Sequence, residues 1–179
     1  MTMMTHLRTY KSKCFFDFNR SSVFFIGSDK IIYKLLFPFY NSLVCLRILE
    51  QPPEQTVYRR NLKPSPTVMF IGDERQILQS GESLVVVPVL VRCDNLQEVK
   101  DKLSGNGPLK ISGGAAVAFK KLKIMITSHQ LGETLFCLKF ELRKVAPGAN
   151  PDVDYQVIAS AQTNPVGVVS HSTLMKPSM

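Results

Sequence analysis

The segment TLFCLKFELRK at positions 134–144 constrains the fold more than any other part of the chain. Phe136, Leu138, Phe140 and Leu142 recur at every second position, with Lys139, Glu141 and Arg143 between them. A period of two sets the apolar side chains on one face of a pleated strand and the charged ones on the other; no helix gathers them on one side. Further short apolar runs occupy 46–50, 67–71, 83–92, 109–112, 121–127, 155–161 and 166–170, separated by Pro, Gly, Asn and Asp. Eight short strands at this spacing predict an all-β chain, a sandwich or a barrel, and are enough for two sheets. In SLVVVPVLVR (83–92), Pro88 has no N–H to donate, so this strand bends there or lies where the missing donor does no harm.

One connection departs from the pattern. In DNLQEVKDKL (94–103), Leu96, Val99 and Leu103 have helical spacing, Asp94 and Asn95 suit an N-cap, and Gly105 follows. These signals predict a short helix crossing a sheet edge. SGGAA at 112–116 lacks the Lys-Ser/Thr pair and following helix of a phosphate-binding loop, and is expected to form a bulge or tight turn. His129, in SHQLGE, is expected in a hairpin connection.

With 179 residues, 45% of them hydrophobic and 20% charged, the chain is long enough for one core. The net charge of +8 is unevenly spread: residues 1–48 hold seven Lys/Arg and two Asp/Glu. A polyanion surface in the remainder therefore has to come from clustering rather than from overall charge. Residues 1–45 read as a basic, aromatic-rich extension, poorly ordered or loosely docked, with an organelle transit peptide as the competing reading. Asp29, Lys30, Lys34 and Pro38 interrupt its apolar tract, so no membrane span is expected. The domain is expected at 46–171, with 172–179 a C-terminal linker or tail.

Cys14, Cys45, Cys93 and Cys137 are scattered, with no C-x-x-C pair and no nearby histidine. They read as reduced, buried thiols of an intracellular protein, not as zinc ligands or a disulfide framework. The three histidines are far apart, and the chain has no Gly-rich phosphate loop, G-x-S-x-G or H-E-x-x-H. Neither an enzyme, nor a cofactor, a bound metal or a small-molecule substrate is expected.

The stretch LEQPPEQTVYRRNLKPSPTVMFIG (49–72) sets Tyr58, Arg59, Arg60, Asn61 and Lys63 between two proline pairs, with apolar runs on either side. It is too long and too basic for a simple hairpin turn. Together with the preceding LRI, this stretch resembles the opening of Rel-homology DNA-binding domains. AVAFKKLKIMITS resembles their later A-x-F-x-x-L-x-I strand, TLFCLKFELRK their following L-x-F strand, and QTNPVGVVSHSTLMK is similar to the segment that closes the domain and enters a linker. The resemblance spans 46–176 and extends to the wider Rel-homology-like group of immunoglobulin-fold transcription factors. The recognition loop differs: the family's R-x-R-Y-x-C-E is replaced by Tyr58-Arg59-Arg60-Asn61, with no cysteine or acid following, so sequence preference does not carry over.

The resemblance implies a sequence-specific, nuclear transcription regulator that binds double-stranded DNA with loops at one end of an immunoglobulin-like β-sandwich, in company with a protein partner or a second copy. Arg59 and Arg60 would offer planar forks to guanine or phosphate, Asn61 would pair with adenine or cap the turn, and Tyr58 would pack on sugar or backbone. Lys63, Lys120, Lys121 and Lys123 would contact phosphates, and Pro52, Pro53, Pro64 and Pro66 would limit the entropy lost on binding. Ser170, His171 and Lys176 fall where the resemblance places the DNA-contacting linker. The plainer alternative for the arginines is a solvated loop ion-paired to Glu50 or Glu54. The alternative for the whole chain is a β-sandwich module that binds protein along an exposed sheet edge. One geometric point separates them: whether Arg59, Arg60, Lys63 and the lysines near 120 gather at one end of the fold.

Overall fold

The computed structural model describes residues 44–171. Most of the 1–45 extension, the 172–179 tail, Cys14 and Lys176 lie outside the described residues. Among those described, the chain runs through β1 (Cys45–Glu50), β2 (Gln55–Val57), β3 (Thr67–Ile71), β4 (Ser83–Arg92), β5 (Leu103–Ser104) and β6 (Leu109–Lys110). It continues through β7 (Ala116–Ala118), β8 (Lys123–Ile124), β9 (Phe136–Val145), β10 (Tyr155–Gln162) and β11 (Gly167–Val169), with 3-10 turns at Glu74–Gln76 and His129–Leu131. The described residues are all-β. Their strands form a three-stranded sheet in the order β1-β3-β7, a four-stranded sheet in the order β10-β9-β4-β6, and two small pairs, β2 with β11 and β5 with β8.

The period-two segment forms β9, and its alternation does what the sequence requires. Phe136, Leu138, Phe140 and Leu142 are fully buried. They share one core with Leu46, Val68 and Phe70 of the three-stranded sheet and with Leu84, Val86 and Leu90 of β4. The rings of Phe119 and Phe140 stand 5.0 Å apart at 39° in the middle. Burying each such side chain stabilises the fold by roughly 1.5–3 kcal/mol.

The other face of β9 is not left to solvent. Glu141 and Arg143 are buried, and beside them Val85, Val87 and Val145 form a second small apolar cluster against Ala149. The β9–β10 connection closes over this face: Arg143 donates to the Pro151 carbonyl at 3.0 Å and lies over the Tyr155 ring at 3.8 Å.

Pro88 stands within an unbroken β4–β9 register, opposite Phe140. The carbonyls of Leu84 and Leu90 accept from Ile111 and Val99 on the side away from β9, so alternation turns position 88 to that same side. β6 pairs only with Val85 and Val86 there, and the next partners are at 97–99. The proline faces the gap between them, where a donor would have no use.

The expected helix at 94–103 is absent. Leu96 and Asp101 take left-handed φ values of 57° and 56°, which end any α-helical run. Asn95 caps a turn by accepting from the Gln97 amide at 2.9 Å, and the chain folds back beside β4 through Arg92 N to Gln97 O (2.9 Å) and Val99 N to Leu90 O (2.8 Å). Leu96 is 58% exposed, so the three apolar residues do not share a buried face. Side-chain hydrogen bonding and long-range backbone pairing outweigh the helical spacing.

The cysteine expectation also needs correction. Cys93 and Cys137 form a disulfide across neighbouring strands, 44 positions apart in sequence. The β4–β9 register sets Cys137 opposite Val91 and leads Cys93 out of the strand beside Leu135. Cys45 is half-buried at the start of β1. SGGAA makes the tight turn expected of it, with Gly114 at φ 74° and its amide bonded to the Phe70 carbonyl. His129 opens a 3-10 turn and pairs with Glu133 at 2.7 Å.

Candidate nucleic-acid interface

The basic loop begins where β2 ends. β2 pairs in parallel with β11, Val57 opposite Val169, and the ladder is carried one step further by Tyr58 N to Val169 O at 2.8 Å. The chain then reverses: Arg60 N bonds to Val57 O at 3.1 Å, and Arg59, third residue of this four-residue turn, has φ 62°. Glycine or asparagine usually fills such a position, because a Cβ there costs about 1–2 kcal/mol. Two contacts hold Arg59 in place: its amide donates to Ile124 O at 3.1 Å, and its guanidinium lies 4.8 Å from the Tyr58 ring centroid. An exposed cation on a tyrosine face contributes about 0.5–1 kcal/mol.

The loop is next tied to the lysine segment. Leu62, fully buried, donates its amide to Leu122 O at 2.9 Å, and Asn61 bridges antiparallel to Lys123. Phe119 is also fully buried, and its amide donates to Pro66 O at 2.9 Å. Two apolar anchors, Leu62 and Phe119, thus pull the two basic segments together while Arg59, Arg60, Asn61, Lys63, Lys120 and Lys121 remain exposed. Lys123 is half-buried, and with Arg59, Arg60, Asn61 and Lys63 it lines an open concavity.

Ser170 and His171 are exposed and directly follow Val169, whose carbonyl holds the Tyr58 amide. Backbone hydrogen bonds thus bring three sequence-distant segments, 58–63, 119–123 and 170–171, side by side, while Lys120, Lys121, Ser170 and His171 do not line the concavity itself. Tyr58 itself is half-buried against the core, with its ring under Arg59.

Among the described residues, no ion pair involves Arg59, Arg60, Lys63, Lys120, Lys121 or Lys123. Glu50, offered by the sequence as a partner for the arginines, instead accepts from Thr67 Oγ1 at 3.3 Å. The concavity so gathers cations with no internal counter-charge, an arrangement suited to phosphates, with an amide (Asn61) and planar forks able to pair with base edges. Among the described residues no group of three or more His, Cys, Asp or Glu side chains is disposed to hold a metal ion.

Sequence reasoning missed the third line of this region. β5 pairs with β8, Leu103 opposite Ile124 and Ser104 opposite Lys123, on the side of β8 away from the loop. That pairing rests on two residues per strand, too short to leave a periodic signal. No known family model, characterised protein or solved structure matches the chain.

Proposed function

We propose that this protein binds double-stranded DNA through the surface formed by 58–63, 119–123 and 170–171, as a sequence-specific regulator of transcription acting in the nucleus. The observation that carries this reading is the convergence of the basic segments with none of their cations spent on an internal ion pair. A basic face that tracks phosphates, beside a rigid loop able to enter a groove, suits a duplex better than a small anion. The shared core of the three- and four-stranded sheets, with β1 packed beside β10, supports an immunoglobulin-like sandwich as the scaffold. In such scaffolds the sheets hold the loops while the loops contact the ligand.

In this assignment Arg59 and Arg60 supply the forks, Asn61 and Tyr58 flank them, and Lys63, Lys120, Lys121 and Lys123 neutralise phosphates. Ser170 and His171 border the same surface where the chain leaves β11. Binding, not catalysis, is the activity proposed, with no cofactor. A random-site selection with the purified chain tests it: enrichment of a defined duplex motif, lost in an Arg59→Ala/Arg60→Ala variant, is the expected result. Recovery of the same motif by the variant would remove the loop from the reading.

A further inference from the structure

We infer that the 97–106 connection is a second arm of the basic surface, in which Lys102 contacts a phosphate of the same polyanion and the Gly105–Asn106 corner positions both Lys102 and the lysine segment. This rests on the nucleic-acid reading and extends its footprint to residues with no assigned role. β8 is flanked on one side by the 59–62 loop and on the other by β5. Ile124 and Leu122 point into the core, being almost fully buried. Leu103, opposite Ile124, packs on that core too, so alternation sends Lys102 and Ser104 to the face that carries Lys123 and Asn61.

The Lys102 carbonyl accepts from Met125 N at 2.8 Å, extending the ladder one step, and the residue is exposed. Opposed and diagonal positions on such a ladder lie within reach of long side chains. Among the described residues no ion pair joins Lys102 to the neighbouring Glu98 or Asp101.

The corner that follows explains why this register holds. Gly105 has φ 114°, and a Cβ there would collide with the Lys121 carbonyl oxygen, so only glycine lets the two backbones touch. Next to it, Asn106 Oδ1 accepts from the Lys121 amide at 2.6 Å. The corner grips the backbone of Lys121 and leaves its side chain exposed to solvent. Asn106 is a positioning residue in this scheme and makes no contact with the ligand.

The test is a salt titration of binding to a short mixed-sequence DNA duplex, between about 50 and 200 mM salt, for the full chain and its variants. Lys102→Ala is expected to reduce the magnitude of the log K against log salt slope by about 0.9, the loss of one phosphate contact. Lys110→Ala, an equal change of charge on β6 in the four-stranded sheet, is expected to leave the slope unchanged. Asn106→Ala should accelerate hydrogen exchange at the Lys121 amide and flatten the slope, while Asn106→Asp, which retains the acceptor, should restore slow exchange.

A wild-type chain that binds with a steep slope matched by Lys102→Ala overturns the second arm alone. Slow exchange at Lys121 in Asn106→Ala overturns the positioning role. A wild-type chain that does not bind the duplex overturns this inference and the nucleic-acid reading together.

Discussion

Among the described residues, two concentrations of charge are built in opposite ways. On the outer face of β9, Glu141 is held between Lys139 (2.9 Å) and Arg143 (2.9 Å), and Arg143 reaches Asp152 at 3.8 Å and covers Tyr155. At the other region, Arg59 also lies over a tyrosine, but Arg59, Lys63, Lys120 and Lys121 stand exposed and, like the half-buried Lys123, outside any ion pair among the described residues. The first cluster is sealed, with Arg143 and Glu141 buried and their hydrogen bonds satisfied within the chain. The second spends backbone hydrogen bonds on shape and leaves its charges unspent. Charge that the fold uses is neutralised internally; charge left uncompensated on a rigid surface is available to a ligand.

The comparison breaks most clearly at Arg143. Arg143→Ala strands Glu141 beside only Lys139, and urea unfolding should show a loss of about 3–5 kcal/mol, the usual consequence of removing one partner of a buried pair. DNA affinity of the remaining folded protein should not change. The reverse pattern is expected from Arg59→Ala/Arg60→Ala. Fluorescence anisotropy should show a binding loss of roughly 1–3 kcal/mol for each base contact made, and urea unfolding a stability loss of no more than about 1 kcal/mol, that of the exposed Arg59–Tyr58 contact.

Acid sharpens the same contrast. Burial raises the Glu141 carboxyl pKa, but hydrogen bonds and charge from Lys139 and Arg143 outweigh it and hold the group below its ordinary range. A carboxylate with a lowered folded-state pKa contributes stability that is present above its unfolded value and lost as pH falls through the folded one. Stability should therefore decline below about pH 4.3, and by less in Arg143→Ala, as followed by thermal denaturation across an acid series. The smallest effect is expected at Arg59→Gly. Glycine relieves the left-handed backbone, so stability should hold or rise by up to about 1 kcal/mol in urea unfolding. DNA affinity should nevertheless fall.

The sequence made the long elements legible. β3 and β4 occupy the expected positions, and β9 begins and ends close to them, because each buries an apolar face large enough to imprint its period. Convergence of the Arg59 loop with Lys123 could be proposed only by resemblance, since it depends on Asn61 pairing with a residue 62 positions away. What remained hidden has the same cause. β2, β5 and β7 are two or three residues long and exist through distant partners. The disulfide joins cysteines whose proximity follows from the β4–β9 register and not from their spacing. The β5–β8 pairing that sets Lys102 beside the Lys123 strand was masked by the expected helix; the left-handed residues Leu96 and Asp101 that prevent the helix have no sequence signal of their own.

The most direct test is a two-dimensional amide NMR titration of the isotope-labelled chain with a DNA duplex. Shifts concentrated at 58–63, 102, 119–123 and 170–171, with the Glu141–Arg143 face and the β10 edge unaffected, are the predicted result. Shifts centred on β10, or a spectrum unchanged by duplex at low salt, would contradict the account.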